Sequence, residues 1–278
     1  MRVGLVNCRV LPEPDPDEAP LLAALRDAGH EAEPVAWDDP KADPESFDVL
    51  ALRATWNYPQ DTDGFLEWVG SPAAEGRLVN ASELVEWNID KRYLAELAEA
   101  GVPVVPTAFP EEDTDLVALC SEQGWDEVVV KPVIGAGSMM TRRFEKGQLA
   151  EAAEYFTEAS ASREMMVQPL VPEVETEGER SVVVIGGSIS HGVHKSPRFE
   201  GQTETVKAAG VDADMRGLVK KILDRCPVTP VYARVDLFPD GKGGWMLSEL
   251  ELIEPSLYFD LGPGSALRMV RALERAVR

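Results

Sequence analysis

Two stretches near the C-terminal end decide how this chain is read: Val231-Tyr232-Ala233-Arg234-Val235-Asp236, and Ser248-Glu249-Leu250-Glu251-Leu252 beyond the turn Asp240-Gly241-Lys242-Gly243-Gly244. Each alternates with a period of two, so each reads as a β-strand with two unlike faces. Arg234 and Asp236 share one face of the first strand. Glu249 and Glu251 share one face of the second, while Leu250 and Leu252 point the other way, into a core. If the glycine-rich turn folds the strands into a hairpin, Asp236, Glu249 and Glu251 converge. Three carboxylates in one place repel each other unless cations compensate them, and hard oxygen donors suit Mg²⁺. The same alternation also describes an exposed polar face of an antiparallel sheet. On these residues alone, both readings stand.

Outward from the hairpin, the pattern stays antiparallel. Ser181–Ile185 and Ser188–Lys195 flank Gly186-Gly187, a strong turn signal. An amphipathic helix is predicted over Asp212–Cys226, and a last helix from Gly264 to Arg278. Further back come a strand at Glu127–Lys131, a loop at Gly135-Ala136-Gly137-Ser138, a strand at Met140–Phe144, a helix at Gln148–Ala159 and a strand at Met165–Leu170. The first part of the chain reads differently. Val3–Val6, Glu33–Trp37 and Phe47–Arg53 are short apolar strands. Between the first two lies a helical stripe of Leu21, Leu22 and Leu25, closed by Gly29. A helix is predicted at Asp63–Val69, and two more, at Asp90–Ala100 and Leu116–Gln123, lead into the next part. Alternation of this kind implies a parallel open layer. The expected organisation is therefore an N-terminal α/β part (1–87) followed by two α+β parts (88–171 and 172–278), with breaks near Trp87 and Pro172.

Composition restricts the function classes. The chain has 278 residues, with 27 Lys and Arg against 49 Asp and Glu, a formal charge of −22. That balance argues against nucleic acid, whose binding needs cations to neutralise phosphates, and against anionic membranes. No stretch approaches the ~18 apolar residues of a membrane span, and the apolar run at Val3–Val6 is too short for a signal-peptide core. Cys8, Cys120 and Cys226 are odd in number and widely spaced, so no disulfide framework is expected. These features predict a cytoplasmic, reduced protein. There is no GxxxxGK[ST], no GxGxxG after the first strand, no HRD or DFG, no HExxH and no GxSxG. His191 and His194 fall on opposite sides of one strand and make an improbable zinc pair.

The remaining candidates are scattered. Lys131 ends the run Val128-Val129-Val130-Lys131-Pro132 and reads either as a surface lysine or as a cation aimed at a phosphate. The loop Gly135–Thr141 reads as a turn or as a backbone cradle for phosphates. Arg53, Lys195, Arg198 and Arg234 are further possible anion contacts.

Taken in order, these segments resemble the ATP-grasp superfamily. Its landmarks are matched in turn by Asn88-Ile89-Asp90-Lys91, Val129-Val130-Lys131-Pro132, the glycine loop 135–141, Val167-Gln168-Pro169-Leu170, Gly178-Glu179-Arg180-Ser181 and the acidic hairpin. The spacing from Asp236 to Glu249 and Glu251 matches the Asp…Glu-x-Asn metal pattern of D-alanine–D-alanine-ligase-like enzymes, with Glu251 in place of the Asn. Arg53-Ala54-Thr55-Trp56-Asn57-Tyr58, Tyr232–Asp236 and Glu249–Leu257 resemble the glutathione-synthetase-like branch that contains the cycloserine-forming cyclo-ligase. The resemblance covers about residues 88–278, with 1–87 as the usual N-terminal subdomain.

That resemblance implies ATP held between two α+β subdomains. Lys91 and Lys131 would meet its α- and β-phosphates, with Gly135, Gly137 and Ser138 in the loop closing over them. The strand end at Gln168, Pro169 and Leu170 would meet the adenine edge, and Glu175 or Glu179 the ribose. Asp236, Glu249 and Glu251 would hold one or two Mg²⁺ ions. Lys195 would reach the γ-phosphate and Arg234 the oxyanion of a tetrahedral intermediate. Arg53, Trp56 and Asn57, with Glu254 and Ser256, would clamp an amino-acid-like substrate. The implied activity is carbon–nitrogen ligation through an acyl phosphate, either between two substrates or within one. A regulatory ATP-binding protein and a small-molecule phosphotransferase are the alternatives on the same fold. Both dimers and tetramers are compatible with the family.

Overall fold

The computed structural model describes residues 1–196 and 205–277. Its elements run β1 (Arg2–Asn7), α1 (Glu18–Asp27), β2 (Glu31–Ala36), β3 (Val49–Ala54), α2 (Thr62–Val69), β4 (Leu78–Val79), α3 (Ser82–Ile89), α4 (Tyr93–Glu99) and α5 (Leu116–Gln123). They continue with β5 (Val128–Pro132), β6 (Arg142–Phe144), α6 (Leu149–Ser160), β7 (Met165–Pro169), α7 (Glu173–Glu177), β8 (Glu179–Ile185) and β9 (Ser188–Lys195). The last are β10 (Val206–Ala209), α8 (Ala213–Leu223), β11 (Tyr232–Pro239), β12 (Trp245–Glu251) and α9 (Ser265–Ala276).

They form three sheets: a parallel one ordered β2-β1-β3-β4, an antiparallel one ordered β6-β5-β7, and a five-stranded antiparallel one ordered β10-β9-β8-β11-β12. The architecture mixes α/β and α+β layers, as the alternation of patterns implies.

The parallel sheet is covered on both faces, which is why β3 is buried at every position. Val3, Leu5, Val49 and Ala51 pack with Leu21 and Leu25 of α1 and with Met269, Val270 and Leu273 of α9. Val6, Leu50 and Leu52 pack on the other side with Tyr58, Phe65 and Val69. The last helix of the chain thus closes the first sheet, and the N- and C-terminal parts share a core. In the small antiparallel sheet, Val128, Val130, Phe144, Met165 and Val167 pack on Leu116, Cys120, Ala152 and Phe156.

One face of the five-stranded sheet is apolar along its length, while the other is apolar only at the end where Val183, Ile185 and Tyr232 pack with Met269, Val270 and Leu273. On the first face, Val182, Val184, Val235, Leu237, Leu250 and Leu252 turn toward Leu94 and Leu97 of α4 and Met215, Leu218 and Ile222 of α8. Its β8–β9 turn uses Gly186 and Gly187, both left-handed (φ +63° and +73°), which a two-residue hairpin turn requires.

Local departures from the sequence reading have physical causes. The helix expected over Asp90–Ala100 starts at Tyr93. An earlier helix, α3, contains Trp87 and stops at Ile89, so residue 87 lies inside an element. At the break Asp90 is extended, and its carboxylate takes the Arg92 N–H (2.8 Å). Strand β6 begins at Arg142 because Ser138 and Met140 adopt left-handed backbone (φ +60° and +55°) that no strand continues. The acidic stretch from Glu173 folds as the short helix α7. Arg198, one of the candidate anion contacts, and Arg278, the expected helix end, lie outside the described residues.

Candidate active site

The polar face of the five-stranded sheet carries the cluster. In register, Asp236 stands opposite Glu249 on one side and Ser181 on the other, and Arg234 stands opposite Glu251. A bulge after Asp236 ends that register, so Arg234 and Asp236 lie on its regular side. The hairpin therefore brings Asp236, Glu249 and Glu251 onto one face.

A chain of ion pairs crosses that face. The Lys195 ammonium lies 2.6 Å from Glu179 and 3.4 Å from Asp236. Arg234 grips Asp236 with two nitrogens, Nε to Oδ1 and Nη2 to Oδ2, each at 2.9 Å. Arg234 Nη2 also pairs with Glu251, and Nη1 donates to the Ser256 carbonyl (3.4 Å). Glu249 lies between Lys91 (3.2 Å) and Lys131 (3.8 Å). Four cations thus face four carboxylates.

Protonation follows from this balance. Burial works against the Asp236 carboxylate, but Arg234 and Lys195 outweigh it and hold Asp236 well below the usual range. Burial likewise opposes Glu249, and Lys91 and Lys131 hold it down. Burial would strip the proton from Lys195, yet Asp236 and Glu179 keep it firmly charged. For Lys131 burial prevails and its value falls below the ordinary lysine range. Burial pushes Glu251 up to about 7 despite Arg234. It pushes Glu254 up to about 8, with the negative charge of Glu251 adding to the effect.

The two lysines are placed by local breaks. Val128 and Val130 are buried while Lys131 turns to the other face of β5. Lys91 sits in the break between α3 and α4, its N–H bonded to the Val133 carbonyl (3.2 Å) and its ammonium donating to the Gly135 carbonyl (2.9 Å). Tyr58 donates to the same carbonyl (3.4 Å), and Tyr155 donates to the Met140 carbonyl (2.7 Å). The glycine loop is pinned at Gly135 and at Met140, while Gly137 and Ser138 between them are exposed.

Other expected site residues lie elsewhere. The buried Gln168 donates to Thr107 Oγ1 (2.9 Å), and the Leu170 N–H bonds the Glu127 carbonyl (2.9 Å); Pro169 has no N–H to offer. Glu175 pairs with Arg143 of β6. Arg53 is not part of the cluster. It is 2% exposed, lies 3.4 Å from Asp17 and donates to the Pro255 carbonyl (2.8 Å). Asn57 accepts from Trp37 Nε1 (2.7 Å) and donates to Asp38 (2.8 Å). Trp56, Glu254 and Ser256 are half-buried.

Several supporting roles escaped the sequence reading. Strand β12 is a sheet edge, and side chains satisfy its outer backbone groups. Asn88 donates to the Leu250 carbonyl (2.8 Å) and accepts from the Leu252 N–H (2.9 Å), and Tyr93 Oη donates to Leu250 O (3.0 Å) and accepts its N–H (2.9 Å). Asn80, left-handed at φ +66°, donates to Tyr232 O and Leu252 O at 2.8 and 2.7 Å. A buried Asn before a helix was the available signal, but its partners lie more than 150 residues away.

Among the described residues, no three His, Cys, Asp or Glu side chains close into a metal cage. An ion that takes one or two carboxylates and completes its shell with phosphate oxygens and water needs no such cage. Asp236 and Glu249, opposed across β11 and β12 with Glu251 beside them, offer the hard oxygens that Mg²⁺ accepts. The lysines and Arg234 now paired with them are the groups that polyphosphate attracts.

Comparison with known proteins gives a consistent picture. A family model described as D-cycloserine synthetase DcsG, N-terminal domain, matches residues 3–80. The cycloserine biosynthesis protein DcsG of Streptomyces lavendulae is 31% identical over 283 residues, covering 95% of each chain. The crystal structure of D-cycloserine synthetase DcsG superposes with a TM-score of 0.91 at 30% identity over the full length of both chains. D-Alanine–D-alanine ligase from Bacillus anthracis shares the fold with a TM-score of 0.72 at 17% identity, over 100% of this chain and 97% of its own. No helix among the described residues is long and apolar enough to cross a membrane.

Proposed function

This chain belongs to the D-cycloserine synthetase family of ATP-grasp ligases, and we propose that it closes a ring within one small amino acid. As a member of that family it is an ADP-forming carbon–nitrogen ligase that joins a carboxylate to an amine at the expense of ATP. The cycloserine ring, opened at its amide, is β-aminooxy-D-alanine. That compound carries both the carboxylate to be activated and the nitrogen that attacks it.

The observation that carries the reading is the row Glu179–Lys195–Asp236–Arg234–Glu251, with Glu249 between Lys91 and Lys131. Its cations and acids are matched, so neither bare metal nor bare nucleotide finds unpaired partners in it. Metal and polyphosphate arriving together satisfy both halves: Asp236, Glu249 and Glu251 would hold the ion, one or two in number, and Lys91, Lys131 and Lys195 the phosphates. Mg²⁺ when bound neutralises charge on the β- and γ-phosphate oxygens.

In the reaction the substrate carboxylate oxygen takes the γ-phosphoryl group and ADP leaves. The aminooxy nitrogen then adds to the acyl-phosphate carbonyl, loses a proton, and phosphate departs. Arg234, fixed by the two-point grip on Asp236, is the donor for the oxyanion that forms in between. Lys195 steadies the transferred phosphoryl group. The loop at Gly135, Gly137 and Ser138 keeps water from the acyl phosphate. Glu254 and Ser256, whose carbonyl accepts from Arg234, would meet the substrate amino group, and Trp56, half-buried like them, is a further substrate contact. Arg53 and Asn57 act behind them, by holding Pro255 and the Trp37–Asp38 turn. Gln168, Pro169 and Leu170 line the adenine edge, and Glu179 or Glu175 the ribose, where Glu175 would first release Arg143.

Phosphate release with β-aminooxy-D-alanine, Mg²⁺ and ATP tests the proposal, with the product followed as the cyclic amide. Release that requires a separate amine would replace ring closure by two-substrate ligation. ATP binding without release for any amino acid would favour a regulatory protein.

A further inference from the structure

The loop before α1 uses an aspartate in an unexpected way. Asp17 occupies the position just ahead of α1, where an Asp side chain ordinarily accepts from the N–H groups of its own first turn. Here it makes no such cap. The carboxylate crosses to the segment after β12, where it accepts from three successive N–H groups: Leu257 at 2.5 Å, Tyr258 at 3.1 Å and Phe259 at 2.9 Å. Tyr258 is left-handed (φ +49°, ψ +50°), a conformation that a non-glycine residue keeps only when its surroundings impose it. That backbone turn aims the consecutive N–H groups at one anion. Arg53 holds the near end of the same segment through the Pro255 carbonyl and faces Asp17 at 3.4 Å. Ser265 holds the far end, its hydroxyl donating to the Phe259 carbonyl (3.2 Å).

What this segment carries is the surroundings of Arg234. The Ser256 carbonyl accepts from Arg234 Nη1, and the Tyr258 ring lies 5.8 Å from the guanidinium carbon. Asp236 and Glu251 restrain Arg234 through its other nitrogens. We propose that Asp17 is a positioning residue of the ligase reaction, setting the orientation of Arg234 through the Tyr258 ring, whose backbone it holds. At 2% exposure Asp17 touches no substrate; it acts through the segment. The proposal rests on the reading that Arg234 meets the reacting carbonyl.

The test is a double-mutant cycle in the full-length protein, with β-aminooxy-D-alanine and Mg·ATP as reactants. Asp17→Asn keeps the shape but turns an amide N–H₂ toward N–H donors. Its kcat should fall about 100-fold, the scale on which a misplaced group costs rate, with ATP affinity by calorimetry unchanged. Arg234→Lys should lose turnover as well, and the double variant should be no slower than Arg234→Lys alone, because the two act as a unit. Losses that multiply would reduce Asp17 to general structural support and overturn the proposal, as would wild-type kcat in Asp17→Asn. Wild-type turnover in Arg234→Lys would instead sink the underlying reading of Arg234. If Asp17→Asn fails to fold, Tyr258→Leu replaces it in the cycle. That variant retains the N–H groups and removes the ring. It should show the same kcat loss and the same lack of additivity, and normal turnover in it would refute the proposal.

Discussion

Two arginines in this molecule each face an aspartate in a buried setting, and they do opposite things. Arg234 and Asp236 are 8% and 6% exposed in their side chains, and the pair continues through Glu251, which is 28% exposed. Arg53 and Asp17 are 2% and 3% exposed, and their remaining side-chain hydrogen bonds go to backbone groups of residues 255–259. The first pair belongs to a row that opens to solvent at Glu249 and Glu251. The second is sealed and ties the N-terminal layer to the segment beside the first. Burial of an ion pair therefore says little about its role. What matters is whether any member of its network reaches the cleft.

The largest effect should come from the open row. Glu249→Gln removes a carboxylate that faces two lysines and that we propose holds the metal. Turnover should fall about a thousandfold, the scale of the several kcal/mol that a placed metal supplies at a phosphoryl oxygen. The far-ultraviolet circular dichroism spectrum should stay that of the wild type. Activity within error of the wild type would remove Glu249 from the metal site.

Lys131→Met should have the next largest effect. Its side chain is half-buried, its pKa is lowered from the ordinary lysine value, and its ammonium lies 3.8 Å from Glu249. A charge-assisted contact to phosphate is worth about 1.5–3 kcal/mol, so calorimetry should show ATP binding weakened by about 10- to 100-fold. An unchanged affinity would mean that Lys131 serves Glu249 alone.

How much of this was legible beforehand differs between the two pairs for a physical reason. The open row lies on regular strands. A period of two puts Arg234 with Asp236 and Glu249 with Glu251, and the hairpin turn supplies the register. Lys195 also ends a readable strand. The sealed pair depends on contacts between residues some 200 positions apart, from an irregular loop to a left-handed tyrosine, and no local pattern encodes those. Arg53 was legible as a strand-end cation, but not that its charge turns inward to Asp17. Asn88 was legible as a landmark, but not as the group that satisfies the β12 edge. The strand and helix identities were largely legible because both faces of the first sheet, and the whole of one face and one end of the other in the last, are apolar. Helix α3 was not, since no side chain caps its start.

The sealed pair makes a contrasting prediction. Arg53→Met leaves the Asp17 carboxylate buried without its cation, and breaking a buried pair in this way costs about 3–5 kcal/mol. The midpoint of urea unfolding should drop accordingly, while the ATP affinity of the folded protein stays near that of the wild type. A variant with unaltered stability but weakened ATP binding would move Arg53 into the open site and erase the distinction.

Asn57 offers the smallest and sharpest test, because sequence and structure assign it differently. The position suggests a substrate clamp. The structure engages both ends of its amide, with Trp37 and Asp38. Asn57→Ala should cost about 1–2 kcal/mol, the usual worth of two partly exposed hydrogen bonds. It should also free Trp37 to change its fluorescence. If Asn57 holds the turn, KM for the aminooxy acid stays put while thermal stability falls. If it clamps the substrate, KM rises and stability changes little. The two readings predict opposite patterns, so one variant measured both ways decides whether the end of β3 belongs with the open row or with the sealed pair.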